Sequence, residues 1–198
     1  MKKFSSISKN ANIKSIAIGK FDSMHLAHKA ILDKLGENGI VLLIKMPPNL
    51  CGCMLPYNKR QDYSQNEIYY IDFDEISSLS GVEFLEMLKN RLSNLEHIIV
   101  GSDFRFGKNR IYGAKDIENI SNFTTTIIGE MSINGVPIHS SHIRKYLLNG
   151  DIKLANKLLG RFYCIEGEVI RGQGIGNNLL FPTINIKADE YVLPQDGV

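Results

Sequence analysis

No stretch of this chain approaches 18 consecutive apolar residues, so no segment reads as a membrane-spanning helix. The opening, MKKFSSISKNANIKSI, has two early lysines but no apolar core behind them, which argues against a secretory signal. Cysteine is scarce: Cys51, Cys53 and Cys164. An odd number in 198 residues builds no disulfide framework. Cys51 and Cys53 resemble half of a zinc site, but about four ligands are usual and no second pair follows at a recognisable spacing. They are read as free thiols, with no metal held by the protein alone. Excess charge of one sign is lacking too. The formal net charge is +2 and the basic residues are scattered, far too little to announce a nucleic-acid binder. Internal repeats and low-complexity segments are absent. The expectation is a cytoplasmic protein without nucleic-acid or membrane partners, of unreadable oligomeric state. Its 43% hydrophobic content is enough for a real core.

Apolar, β-branched runs recur at Ile13–Ile18, Ile40–Ile44, Ile68–Phe73, His97–Val100 and Thr124–Ile128. Helical patterns lie between several of them. HKAILDKLGENG follows the first run and ends in glycine; SGVEFLEMLKNRLSNLE spaces Val82, Phe84, Leu85, Leu88 and Leu92 near the helical period. Strands alternating with helices predict an α/β fold with a parallel sheet. Ligands of such sheets sit at the carboxyl ends of strands, near a topological switch point.

The last quarter changes character. SSHIRKYLLNGDIKLANKLLGRFY reads as two helices, with Asn149-Gly150 stopping the first, Asp151 capping the second and Gly160 closing it. After Arg161 short strands and glycines take over, so a boundary is expected near residue 160.

Three segments carry chemistry. IAIGKFDSMHLAHKAIL sets His25 and His28 three positions apart where the first strand turns into a helix. A helix start favours phosphate, and imidazoles there can donate to phosphoryl oxygens, most usefully as charge builds in a transition state. VGSDFRFGKNRIYG carries Asp103, Arg105, Lys108 and Arg110 among glycine turns. IHSSHIR places Ser140, Ser141 and Arg144 at another helix start. Each has a plain alternative: capping or surface histidines, a solvated basic loop, an ordinary N-cap.

On these residues the chain resembles the bacterial bifunctional riboflavin kinase/FMN adenylyltransferases, or FAD synthetases. GKFDSMHLAH is similar to G-x-F-D-G-x-H-x-G-H, and VGSDFRFGKNRIYG to V-G-x-D-F-R-F-G-x-x-R-x-G. IHSSHIR…LLNGDIKLANKLLGRFY is similar to I-S-S-[ST]-x-I-R…L-x-x-G-D-[VI]-x-x-A-x-x-L-L-G-R-x-[YF], and FPTINI to F-P-T-A-N-[IL]. The resemblance implies a Rossmann-like nucleotidyltransferase domain over 1–160, transferring AMP from ATP to FMN. It also implies the start of a small β-barrel, an incomplete riboflavin kinase module, over 161–198. By motif match, His25, His28 and Arg144 would be catalytic. Gly19, Phe21, Asp22, Ser140 and Ser141 would bind ATP and its phosphates. Asp103, Arg105, Phe106 and Arg110 would lie near flavin or adenine. Thr183 and Asn185 would hold Mg-ATP in the kinase module. Mg²⁺ would arrive with ATP, and the substrates would be ATP, FMN and, for a longer chain completing the barrel, riboflavin.

The chain departs from the pattern at named places. Ala27 stands for glycine between the histidines, Ser23 for another glycine, and His139 for a serine. IKMPPN replaces T-F-D-P-H-P, and GQGIGNNLLF lacks the arginine expected after Gly176 and has Leu180 for glycine. Two other functions therefore stay open: a non-catalytic nucleotide- or flavin-binding protein, and a nucleotidyltransferase with another phosphate acceptor.

Overall fold

The computed structural model describes residues 1–9, 11–47, 52–171 and 184–196. In chain order come β1 (Lys2–Lys3), β2 (Ser15–Gly19), α1 (Leu26–Leu32), β3 (Gly39–Lys45), β4 (Ile68–Asp72), α2 (Phe73–Ile76), α3 (Gly81–Arg91), β5 (His97–Gly101), β6 (Arg105–Phe106), β7 (Tyr112–Gly113), α4 (Asp116–Ile120) and β8 (Thr124–Ile128). Then follow β9 (Ser132–Ile133), β10 (Val136–Pro137), α5 (Ser140–Leu148), α6 (Ile152–Leu159), β11 (Val169–Ile170) and β12 (Asn185–Ile186). Six strands form one parallel sheet in the order β1-β4-β3-β2-β5-β8.

The central strands are apolar on both faces, as a parallel sheet covered on both sides requires. Successive side chains of β2 divide accordingly. Ile16 and Ile18 join Ile40, Leu42, Ile98 and Val100 beneath Phe84, Leu85 and Leu88 of α3 and Ile117 of α4. Ala17 joins Val41, Leu43, Ile68 and Ile99 beneath Ile31 and Leu32 of α1. Each such fully buried Ile or Leu stabilises by roughly 1.5–3 kcal/mol. A third cluster packs α5 against α6 through Ile143, Leu147, Ala155, Leu158 and Leu159.

All five expected strands are present. β2 begins two residues late because Lys14 bonds sideways, its N–H donating to Asn38 O and its carbonyl accepting from Glu96 and His97. The first helix begins at Leu26 rather than His28, because the His25 side chain caps it. The helix after Ser80 stops at Arg91; Leu92 leaves helical geometry, and Leu92 and Leu95 turn into the core, both fully buried. Asp151 caps α6 by accepting from Leu154 N–H (3.2 Å), and Gly160 closes it at φ +73°.

Beyond Gly160 the chain does not separate cleanly from what precedes it. Val192 is buried in the α5–α6 cluster. Cys53 N–H donates to Glu190 O (2.8 Å), Val192 N–H to Cys53 O (3.0 Å) and the Tyr163 hydroxyl to Val192 O (2.8 Å). β11 and β12 pair antiparallel with exposed Val169, Ile170 and Ile186. Of the stretch expected to begin the barrel, 161–198, residues 172–183 and 197–198 lie outside the described residues, and Thr183 with them.

Candidate active site

The chain runs outward from β2 through β3 to β4, then returns across β2 to β5 and β8. The switch point therefore lies between β2 and β5, whose carboxyl ends are Gly19 and Gly101. Both glycines, and the loops after them, line a cavity of about 890 Å³.

The loop after β2 is strained. Phe21 and Met24 both hold φ +47°, left-handed backbone in residues other than glycine. Each such residue costs about 1–3 kcal/mol and persists only where the surroundings hold it. The Phe21 ring is fully buried beneath Gly19, where an added Cβ would come within 3.2 Å of it. Three guanidinium groups hold the rest. Arg60, itself buried, donates to Lys20 O (2.7 Å) and Leu55 O (3.0 Å), pairs with Asp22 (3.4 Å) and stacks on Tyr57. Arg144 pairs with the other oxygen of Asp22 (3.2 Å) and donates to Gly52 O (3.0 Å). Arg161 donates to Ser23 O (2.7 Å) and Met24 O (3.2 Å).

The imidazoles follow directly. His25 Nδ1 accepts from His28 N–H (3.1 Å), so the neutral ring carries its proton on Nε2. The His25 and His28 rings stack at 3.6 Å, 14° from parallel, and Phe21 meets His28 edge-on at 5.1 Å. Burial, then the charge of His139, lowers His25 to about 4. Burial and the neighbouring His25 push His28 well below the ordinary imidazole range. Both rings are neutral at pH 7. His28 Nδ1 is buried without a hydrogen-bond partner among the described residues.

The facing wall comes from the loop after β5 and the start of α5. Asp103 is exposed; His139 lies 3.9 Å from it and 3.3 Å from Glu130. Phe106 is packed among Phe84, Phe104 and Tyr112, while Arg105 and Arg110 are exposed at the cavity. Ser140 and Ser141 occupy the first turn of α5, whose N–H groups have no intrahelical partner. The Ser140 hydroxyl lies 3.5 Å from that of Ser23. Ile44, Met46 and Phe104 supply an apolar side.

Of the residues singled out from the sequence, Gly19, Phe21, His25, His28, Asp103, Arg105, Phe106, Arg110, Ser140 and Ser141 line this one cavity. Asp22 and Arg144 do not; they pair with each other away from its wall. Asn185 sits in β12, also away from it. Ala27, where the family pattern has glycine, lines the cavity and packs against the α5–α6 cluster. Cys53 is part-buried with burial raising its thiol pKa, Cys164 is exposed, and Cys51 lies outside the described residues. Arg60 and Arg161 were not singled out. Arg60 sits in an unremarkable NKRQ stretch; Arg161 stood inside a quoted motif but with no role attached.

The FAD synthetase family model matches residues 57–142, and the riboflavin kinase family model residues 159–198. The bifunctional riboflavin kinase/FMN adenylyltransferase of Buchnera aphidicola subsp. Schizaphis graminum is 36% identical, covering 93% of this chain and 66% of that protein. That of Bacillus subtilis is 30% identical, covering 96% and 67%. The chain thus spans about two thirds of the length of these relatives. A crystal structure described as a macrolide-efflux protein from Streptococcus pneumoniae superposes with a TM-score of 0.83 at 25% identity, covering 100% of this chain and 71% of that one. No helix among the described residues here is long and apolar enough to cross a membrane. The switch-point cavity, both family models and relatives matched along nearly the whole chain agree: the chain belongs to the bifunctional riboflavin kinase/FMN adenylyltransferase family.

Proposed function

We propose that the switch-point cavity transfers AMP from ATP to FMN. An FMN phosphate oxygen attacks the α-phosphorus of ATP, the bond from that phosphorus to the bridging oxygen breaks, and FAD and pyrophosphate result. The observation that carries this reading is the stacked, neutral His25–His28 pair facing the first turn of α5 across one cavity. A neutral imidazole offers one N–H to a phosphoryl oxygen. A bound triphosphate opposes the effect of burial and favours a further proton on the His28 ring, strengthening that donation as negative charge develops. Ser140 and Ser141 would receive the departing pyrophosphate at the helix start, with positioning and charge stabilisation doing most of the work. Asp103, Arg105, Phe106 and Arg110 would border the flavin or adenine.

Arg144 would act from behind, holding Asp22 and hence the loop, and would reach the pyrophosphate only by leaving that pair. Mg²⁺ would come as the counter-ion of ATP. Among the described residues no group of three or more His, Cys, Asp or Glu is placed to hold a metal ion. We read residues 1–160 as the adenylyltransferase unit and 161–198 as the beginning of the kinase module, with Thr183 and Asn185 toward its ATP and riboflavin as its substrate in the longer relatives. The reaction is cytoplasmic in this reading.

The test is purified 198-residue polypeptide with Mg-ATP and either FMN or riboflavin, products resolved by chromatography. FAD from FMN, and no FMN from riboflavin, is the expected result. ATP bound without turnover would point to a binding protein; pyrophosphate release supported only by another phosphate acceptor would reassign the substrate.

A further inference from the structure

We infer that Arg161 is a positioning residue for the phosphate loop, so that the segment matching the riboflavin kinase model sets the geometry of the adenylyltransferase site. The inference rests on the AMP-transfer reading. Arg161 follows Gly160, whose left-handed backbone ends α6 in contact with Leu26 at the start of α1. Another residue there would be strained at φ +73° and would also push the Leu26 side chain aside. The turn delivers the guanidinium to two successive carbonyls, Ser23 O at 2.7 Å and Met24 O at 3.2 Å. Its face lies 4.3 Å from the Tyr63 ring, which fixes its plane.

Those two carbonyls bracket Met24, the left-handed residue directly before His25. A trans peptide turns its N–H opposite to its C=O, and no described peptide here is cis. Pinning both carbonyls on Arg161 therefore fixes which way the N–H groups of Met24 and His25 point. It also fixes the backbone from which the His25 ring reaches the cavity. Ser23 is fully buried, so its carbonyl needs a protein partner, which Arg161 supplies. Arg161 is not itself among the residues that line the cavity. The fork geometry matters: a guanidinium serves two acceptors in a fixed plane, and an ammonium is a single point charge.

The experiment compares wild type, Arg161→Ala and Arg161→Lys by ATP affinity, by KM for each substrate and by amide exchange over residues 20–25. Charge-assisted bonds of this kind predict that Arg161→Ala weakens ATP about 10- to 100-fold, with KM for FMN unchanged. Arg161→Lys should recover only part of the loss, and free guanidinium at non-denaturing concentration should restore part of it to Arg161→Ala. Exchange over 20–25 should rise without a fall in global stability. If kcat falls while both KM values and ATP affinity hold, Arg161 merely stabilises the fold and the inference is overturned. If Arg161→Ala does not fold, Arg161→Lys decides on the same readouts. A wild-type chain that makes no FAD defeats the AMP-transfer reading alone; ATP affinity and loop exchange still decide Arg161.

Discussion

At the scale of single residues, His28 is the sharpest test of the chemistry. Its ring is stacked on His25 and edged by Phe21, and its buried Nδ1 has no hydrogen-bond partner among the described residues. A donor aimed at developing charge is worth about 10²–10³ in kcat. His28→Ala should therefore lower FAD formation by about 10²-fold or more in steady-state assays. Circular dichroism should be unchanged, because the sheet beneath does not rest on this ring. FAD formation at the wild-type rate would remove His28 from the chemistry. Asp22 makes a different point at the same scale. Two guanidiniums share its two oxygens, so it orders the loop.

At the scale of elements, α1 depends on a cap that is also a titrating group. The unfolded His25 imidazole takes a proton near pH 6.5, while the folded ring stays neutral down to about 4. Between those values the unfolded state binds more protons, so stability falls as pH falls through the window and levels off below it. The loss for His25 is about 3 kcal/mol, and His28, shifted the same way, adds to it. Urea denaturation from pH 7.5 to 4.5 measures this. His25→Asn, which keeps a capping acceptor but has no ionisable ring, should flatten the curve. A parallel pH dependence in both proteins would place the acid sensitivity elsewhere. The same element shows what was legible in the sequence. The strands and helices were, since both periodicities and the caps at Asp151 and Gly160 are local. So were the three loops of the site, because strand-to-helix turns bring their residue types together. The register of α1 was not, because it hangs on a side chain usually given other roles. Nor were Arg60 and Arg161. Arg60 reaches Lys20 O, 40 positions away, and Arg161 reaches Ser23 O, 138 positions away, and a carbonyl leaves no mark in a sequence. Arg144 was placed on phosphate by its position at a helix start, yet its fork is taken by Asp22 and Gly52.

At the scale of the whole molecule, the tail is part of the first core. Val192 fills the α5–α6 cluster, and its backbone bridges Cys53 and Tyr163. Val192→Ala removes two buried carbons, which by analogy with other core truncations costs roughly 2 kcal/mol. For a chain of this size the thermal midpoint should drop by about 4–8 °C, read by calorimetry. An unshifted midpoint would mean that the tail merely rests on the surface. Attachment of that kind also orders events during synthesis. The strands β1 to β8 and the helices α5 and α6 leave the ribosome before the residue that plugs them. At about 5–20 residues per second, the chain between Leu159 and Val192 takes roughly 2–7 s to appear. Through that interval the nascent protein holds a finished sheet beside an open helical seam, and a chaperone that reads exposed leucine has its best opportunity there.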